Sequence, residues 1–205
     1  MGEDKATREK LLASAKEEFL EKGYMKASLR TICKKAGVTT GALYFFFQDK
    51  EDLLKNLVEE PLRGLSQIIQ EHFSLELSAE PGAVPIGENS EDIKASKEVV
   101  HFMYQHYDIF QILLTKSQGS MYEDIVSRFA DMFDKHYTAL SDEIAKTCGV
   151  PKPDHYMIHW LTHMQIDAFI HLLTHEPKEE RAVEYIEEVV IYILSGWNGL
   201  LFQKR

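Results

Sequence analysis

SLRTICKKAGVTTGALYFFFQDK, residues 28–50, is the stretch on which the reading of this chain turns. Ser28 is placed to cap a short helix whose apolar positions, Leu29, Ile32 and Cys33, share one face, leaving Arg30, Lys34 and Lys35 for the surface. Gly37 follows, able to supply the positive φ that a tight turn needs, with Val38 to plug the angle between two helices. Thr39 caps a second short helix, Thr40 to Phe46. Asp49 then opens a longer one.

Upstream, residues 7–22 place Leu11, Leu12, Ala15, Phe19 and Leu20 on one helical face, with Thr7 as N-cap and Gly23 as stop. Downstream, Leu53, Leu54, Leu57, Val58, Leu62, Leu65, Ile68 and Ile69 carry the next helix towards His72, with Pro61 predicted to kink or break it. Residues 78–90 hold two prolines and two glycines and read as a surface loop. Further helices are expected at about 91–105, 107–116, 120–147, 154–175 and 178–203, with no persuasive strand. The class is all-α: an N-terminal three-helix domain over residues 1–50 and a C-terminal helical bundle over 51–205, about nine helices in total.

The chain has 205 residues, 44% of them hydrophobic, and a formal charge of -10. That charge is unevenly spread. Residues 1–50 hold ten Lys/Arg against seven Asp/Glu, whereas residues 51–205 hold thirteen against twenty-six. A locally basic module can meet phosphates although the whole is acidic, because charges beyond roughly 8 Å are largely screened. No signal peptide or membrane span is read in the sequence, so the cytoplasm is the expected compartment. Cys33 and Cys148 have neither zinc-ligand nor disulfide spacing.

Two short helices joined by a glycine turn, the second opening on hydroxyl residues, make the helix-turn-helix geometry used to grip DNA. Thr39 and Thr40 can donate to phosphate oxygens, as can the free N–H groups at that helix start. Gly41 and Ala42 lack bulk, so the backbone can approach a groove. Tyr44 offers a hydroxyl, and Lys50 a salt-sensitive phosphate contact.

The run from Arg8 through Leu54 resembles the N-terminal domain of the TetR family of bacterial transcription factors. Phe19, Gly23-Tyr24, Ile32, Ala36-Gly37-Val38, Gly41, Leu43-Tyr44, Phe47 and Lys50-Glu51 all fall at that family's spacing. The resemblance implies a homodimeric repressor whose C-terminal domain binds a small-molecule effector and whose last two helices make the dimer. It also implies DNA contacts at Ser28, Arg30, Thr39, Thr40, Gly41, Ala42, Tyr44, Phe45, Phe46 and Lys50. Phe46 departs from the family, which commonly has His or Tyr there; Phe45 and Phe46 either meet thymine methyls or weaken the hold.

An effector pocket in the longer half would draw on Phe102, Met103, Tyr107, Phe110, Met121, Tyr122, Phe129, Phe133, His159, Trp160, His163 and Met164, a lining suited to an apolar or aromatic molecule. The same stripe is also what a plain core would show. For the dimer, Tyr156, Trp160, His163, Asp167, Ile170 and Leu173 on one helix and Ile186, Val190, Ile193, Leu194, Trp197 and Leu201 on the next supply apolar stripes, which equally suit the chain's own interior. His155, His159, His163, His171 and His175, with Asp167, form a four-residue ladder that spirals round the helix and cannot converge on one site as a whole, although an adjacent pair such as His159 and His163 shares a face that could chelate a metal ion or respond to pH. No metal or other cofactor is expected. Neither is catalysis: Glu98 and His101 form a lone E-x-x-H, and no nucleophile elbow or phosphate-binding glycine loop is present.

Overall fold

The computed structural model describes residues 2–79 and 90–202. Among them, every regular element is helical: α1 Gly2–Lys26, α2 Leu29–Ala36, α3 Thr40–Phe46, α4 Lys50–Ser78, α5 Glu91–Gln105, α6 Tyr107–Thr115, α7 Ile125–Cys148, α8 His155–His175 and α9 Glu179–Phe202. The fold is all-α, as expected. Most of the loop read at 78–90 lies outside the described residues. No helix described is long and apolar enough to cross a membrane.

The helices gather into two compact units, and only one is continuous with the N-terminus. The first unit comprises the residues up to Gly64 together with His106–Ile125, so α6 joins α1–α3 and the first part of α4. The second comprises Leu65–Gln105 and everything from Val126 onward. α4 contributes to both.

In the first unit, the apolar face read for residues 7–22 is buried: Leu11, Ala15 and Phe19 have no exposure, and neither have Ile32, Leu43, Leu53, Leu54 and Val58. Each of these side chains larger than Ala15 contributes about 1.5–3 kcal/mol over leaving it in water. Gly23 interrupts α1 with φ 72 and ψ 161, a conformation open in practice only to glycine, and the chain resumes a last turn before α2. Ser28 then caps α2, its hydroxyl accepting from Thr31 N–H at 3.4 Å. Gly37 closes α2 with φ 69, its N–H reaching Lys34 O at 3.2 Å while Val38 N–H reaches Cys33 O at 3.0 Å. That pair of bonds is the Schellman closure.

Two sequence expectations change here. Of the kink or break expected at Pro61, the break does not occur, since α4 runs as one helix to Ser78. Proline costs a helix interior about 3 kcal/mol, and the buried stripe of Leu54, Val58, Leu65, Ile69 and Phe73 on either side of it offsets that cost. α7 begins at Ile125 rather than near 120. Hydroxyl bonds hold the preceding residues in turns: Ser117 donates to Leu113 O at 2.7 Å and Ser120 to Ser117 O at 2.6 Å, competing with helical bonding.

Two apolar clusters of described residues lie in the second unit. One joins Ile93 and Val100 of α5 to Leu172 of α8 and to Ala182, Ile186, Val190 and Leu194 of α9. The other joins Ile144 of α7 to Ile158 and Leu161 of α8 and to Ile193, Trp197 and Leu201 of α9.

Candidate nucleic-acid interface

α3 is amphipathic over only seven residues. Leu43 and the following Phe47 are buried and anchor it, while Thr40, Gly41, Tyr44 and Phe45 lie exposed. Positions i, i+1, i+4 and i+5 share a helical face, so these four present one surface. Thr39 has the extended backbone of an N-cap, and its hydroxyl oxygen accepts from Ala42 N–H at 3.2 Å. That bond uses an acceptor lone pair and leaves the hydroxyl proton to be donated outward. Ser28 is in the same state at the start of α2, and Arg30, the second residue of that helix, is exposed.

The aromatic run divides by burial. Tyr44 is 60% and Phe45 76% exposed, Phe46 is half-buried and Phe47 is fully buried. Phe46 packs edge-on against Phe45 at 4.9 Å between ring centres, so it braces an exposed apolar tip. Arg8 lies 5.5 Å over the Phe47 ring and donates to Asn56 Oδ1 at 2.7 Å, tying α1 to α3 and α4.

Lys50 is the exception among the expected contacts. Its ammonium points inward, donating to Tyr24 O at 2.7 Å and approaching Met25 O and Ala27 O at 3.4 and 3.5 Å. It also sits 4.3 Å from the centre of the Tyr24 ring. The carbonyls where Gly23 interrupts α1 thus give Lys50 an internal set of partners, beside the phosphate contact expected of it. Beside it, Tyr24 donates its hydroxyl to Glu51 Oε2 at 2.6 Å, and Glu51 Oε1 accepts from Met121 N–H at 3.0 Å. Burial, then the hydrogen bond to Glu51, push the Tyr24 phenol above its ordinary range. Tyr24 N–H also reaches Lys116 O at 2.8 Å, and Lys16 pairs with Asp108 at 2.8 Å. These bonds hold the segment after α5 to the N-terminal helices, a long-range arrangement with no signal in the local pattern.

Residues 11–57 match the family model described as bacterial regulatory proteins, tetR family. Over that segment the chain is similar to the TetR family of transcriptional regulators. It is 28% identical over 146 residues to the HTH-type transcriptional repressor BepR of Brucella suis biovar 1 (strain 1330), covering 71% of this chain and 65% of that one. It is 34% identical over 76 residues to the probable acrEF/envCD operon repressor of Escherichia coli (strain K12), covering 37% and 34%. Both matches thus span less than two thirds of the curated relative. A solved TetR family transcriptional regulator from Chloroflexus aurantiacus J-10-FL shares the fold, with a TM-score of 0.64 at 17% identity over 96% of this chain and 94% of that one.

The residues expected to line an effector pocket fall into both units. Tyr107, Phe110, Met121 and Tyr122 belong to the first, where Phe110 and Tyr122 are buried and Met121 is 56% exposed. Phe102, Met103, Phe129, Phe133, His159, Trp160, His163 and Met164 belong to the second. There Met103 and Phe133 are buried, Met164 packs on the second core, Phe102 and Phe129 are half-buried, and Trp160 is 51% exposed. Phe133 meets Phe73 edge-on at 4.9 Å. His159 Nδ1 lies 2.6 Å from Asp134 Oδ2.

The expected dimer stripes separate as well. On α8, Tyr156, Trp160 and Asp167 are exposed, His163 and Ile170 half-buried, and Leu173 buried. On α9, Ile186, Val190, Ile193, Leu194, Trp197 and Leu201 are all buried in this chain's own cores, because α5, α7 and α8 pack against that stripe. The face that α9 leaves exposed is instead Tyr185, Glu188, Tyr192, Ser195 and Gly196. With Ala168 and His171 of α8, Tyr185, Glu188 and Tyr192 line a shallow groove. The histidine ladder resolves into pairs, His159 with His163 at 4.5 Å and His171 with His175 at 4.1 Å between ring centres.

Sequence reasoning missed the cluster of His72, Glu76, Asp92 and His136 in the second unit. Its local signal was the four-residue step from His72 to Glu76, one turn of the same helix face. Asp92 and His136 come from other helices.

Proposed function

We propose that this chain is a cytoplasmic transcriptional repressor that binds a palindromic DNA operator as a homodimer and is released from it by a small, largely apolar or aromatic effector. The observation that carries DNA binding is the exposed face of α3, with Thr40, Gly41, Tyr44 and Phe45 outward while Leu43 and Phe47 anchor it. Threonine and tyrosine hydroxyls and the N-terminal N–H groups of α3 contact phosphates; Phe45, braced by Phe46, meets thymine methyls. Both curated relatives are named as repressors, which favours repression over activation. Nothing in the reading requires a catalytic step.

Dimerisation is assigned to the exposed face of α8 and α9, where Trp160, Tyr156 and Tyr192 supply aromatic surface and Gly196 allows close approach. Effector binding is assigned to the second unit, whose helices carry most of the aromatic candidates. Because α4 runs unbroken from Lys50 to Ser78 and contributes to both units, a ligand that repositions its second part acts on its first part through one helix. The effector works by binding the DNA-incompetent arrangement more tightly.

Fluorescence anisotropy with palindromic DNA from the chain's own upstream region, against random DNA, tests the reading. Salt-dependent preference for the palindrome is expected. Tyr44→Phe should weaken it by about 1 kcal/mol, roughly fivefold, with the fold intact. No preference over random DNA at any salt concentration would overturn the assignment.

A further inference from the structure

We propose that His72, Glu76 and Asp92 form a binding site for a divalent transition-metal ion. His72 and Glu76 stand one turn apart on α4, and Asp92 lies in the first turn of α5, within the same unit. His72 Nε2 is 3.3 Å from Asp92 Oδ1 and 3.6 Å from Glu76 Oε2, and one ligand atom from each of the three lies within 4.8 Å of the others. Ligand atoms that share an ion, each about 2.0–2.2 Å from it, stand roughly 3–4 Å apart. The side chains are already near that spacing.

A fourth residue orients the set. His136 of α7 is 3% exposed at its side chain, and its Nε2 lies 2.7 Å from Glu76 Oε2. Its ring stacks on Phe73 at 3.7 Å with the planes 5° apart. A buried imidazole hydrogen-bonded to a ligating carboxylate is the outer-shell arrangement that fixes such a ligand in place.

Charge balance points the same way. His72, Glu76 and Asp92 are each less than a fifth exposed. Among the described residues, the ion-pair partners of Glu76 and Asp92 are imidazoles alone, without a lysine or arginine. Two carboxylates that face only imidazoles in a partly desolvated site make an oxygen-rich arrangement that a bound cation relieves. One imidazole nitrogen with two carboxylates suits borderline ions such as Zn²⁺, Co²⁺ or Ni²⁺, or the harder Mn²⁺, better than soft ones. Three protein ligands also leave coordination positions open for water.

The test uses the full-length, untagged protein, freed of metal with a chelator and titrated with Zn²⁺ and Co²⁺ by calorimetry and visible absorption. One ion per chain at micromolar affinity or better is expected, together with a rise in Tm. Asp92→Asn and His72→Gln, near in shape to the originals, should each abolish binding and the Tm rise. His136→Phe keeps a stacking ring but loses the hydrogen bond, and should weaken binding about 10–100-fold. Changing His159 and His171 to Gln together should leave binding unchanged, which separates this site from the α8 ladder. Absence of binding below millimolar, or wild-type binding by Asp92→Asn, would overturn the proposal.

Discussion

Replacing Lys50 by Met removes an ammonium while keeping an unbranched apolar stem, and it separates two roles that the same residue can play. In the structure the ammonium donates to Tyr24 O at 2.7 Å and lies 4.3 Å from the Tyr24 ring centre. A hydrogen bond from a charged donor contributes about 1.5–3 kcal/mol, and a cation–π contact at a partly exposed site about 0.5–1 kcal/mol. Relief of lysine side-chain ordering offsets up to ~2 kcal/mol of that. A net loss of about 2 kcal/mol is expected, or roughly 4–8 °C in Tm for a chain of this size. Calorimetric melting supplies the stability. Anisotropy titrations from low to moderate salt supply the slope of log K against log[salt]. An internal clamp predicts a lower Tm with the slope unchanged. A phosphate contact predicts an unchanged Tm and a slope shallower by about 0.9. The second result would refute the structural role assigned to Lys50.

Gly23→Ala forces a side chain into φ 72, ψ 161. A loss of about 1–3 kcal/mol is expected on chemical denaturation, with the midpoint shifted and the slope unchanged. Asp134 is held below the ordinary carboxylate range: burial pushes it up, but His159, then Thr162, and last the nearby His155 outweigh that. A depressed folded-state pKa contributes stability above the unfolded value and loses it as pH falls through the folded one. Asp134→Asn should therefore flatten the acid side of a Tm-against-pH curve and lower Tm at neutral pH; an unchanged acid limb would count against the pairing. Burial pushes the Cys33 thiol up, whereas Cys148 is exposed. A thiol reagent on the native protein should label Cys148 quickly and Cys33 only on unfolding, as peptide mapping would show.

The helix-turn-helix was legible because its signals are short-range. A cap at Ser28, a positive-φ glycine at Gly37, a second cap at Thr39 and apolar spacing of three and four residues each act within one or two turns. Periodicity likewise located the remaining helices. It could not say that α4 survives Pro61, since that depends on how much apolar surface flanks the proline once the helix is packed.

Sequence alone therefore determined the helical class, the turn and the polar face of α3, because each follows from backbone preferences among near neighbours. Tertiary structure decided what long-range packing decides. It turned Lys50 inward, added residues 106–125 to the N-terminal helices, and packed the α9 stripe into the chain's own cores. It also brought Asp92 and His136 to a histidine and a glutamate on α4. An amphipathic pattern states that a face is buried, but the hydrophobic effect is non-directional, so only the packed chain reveals against what.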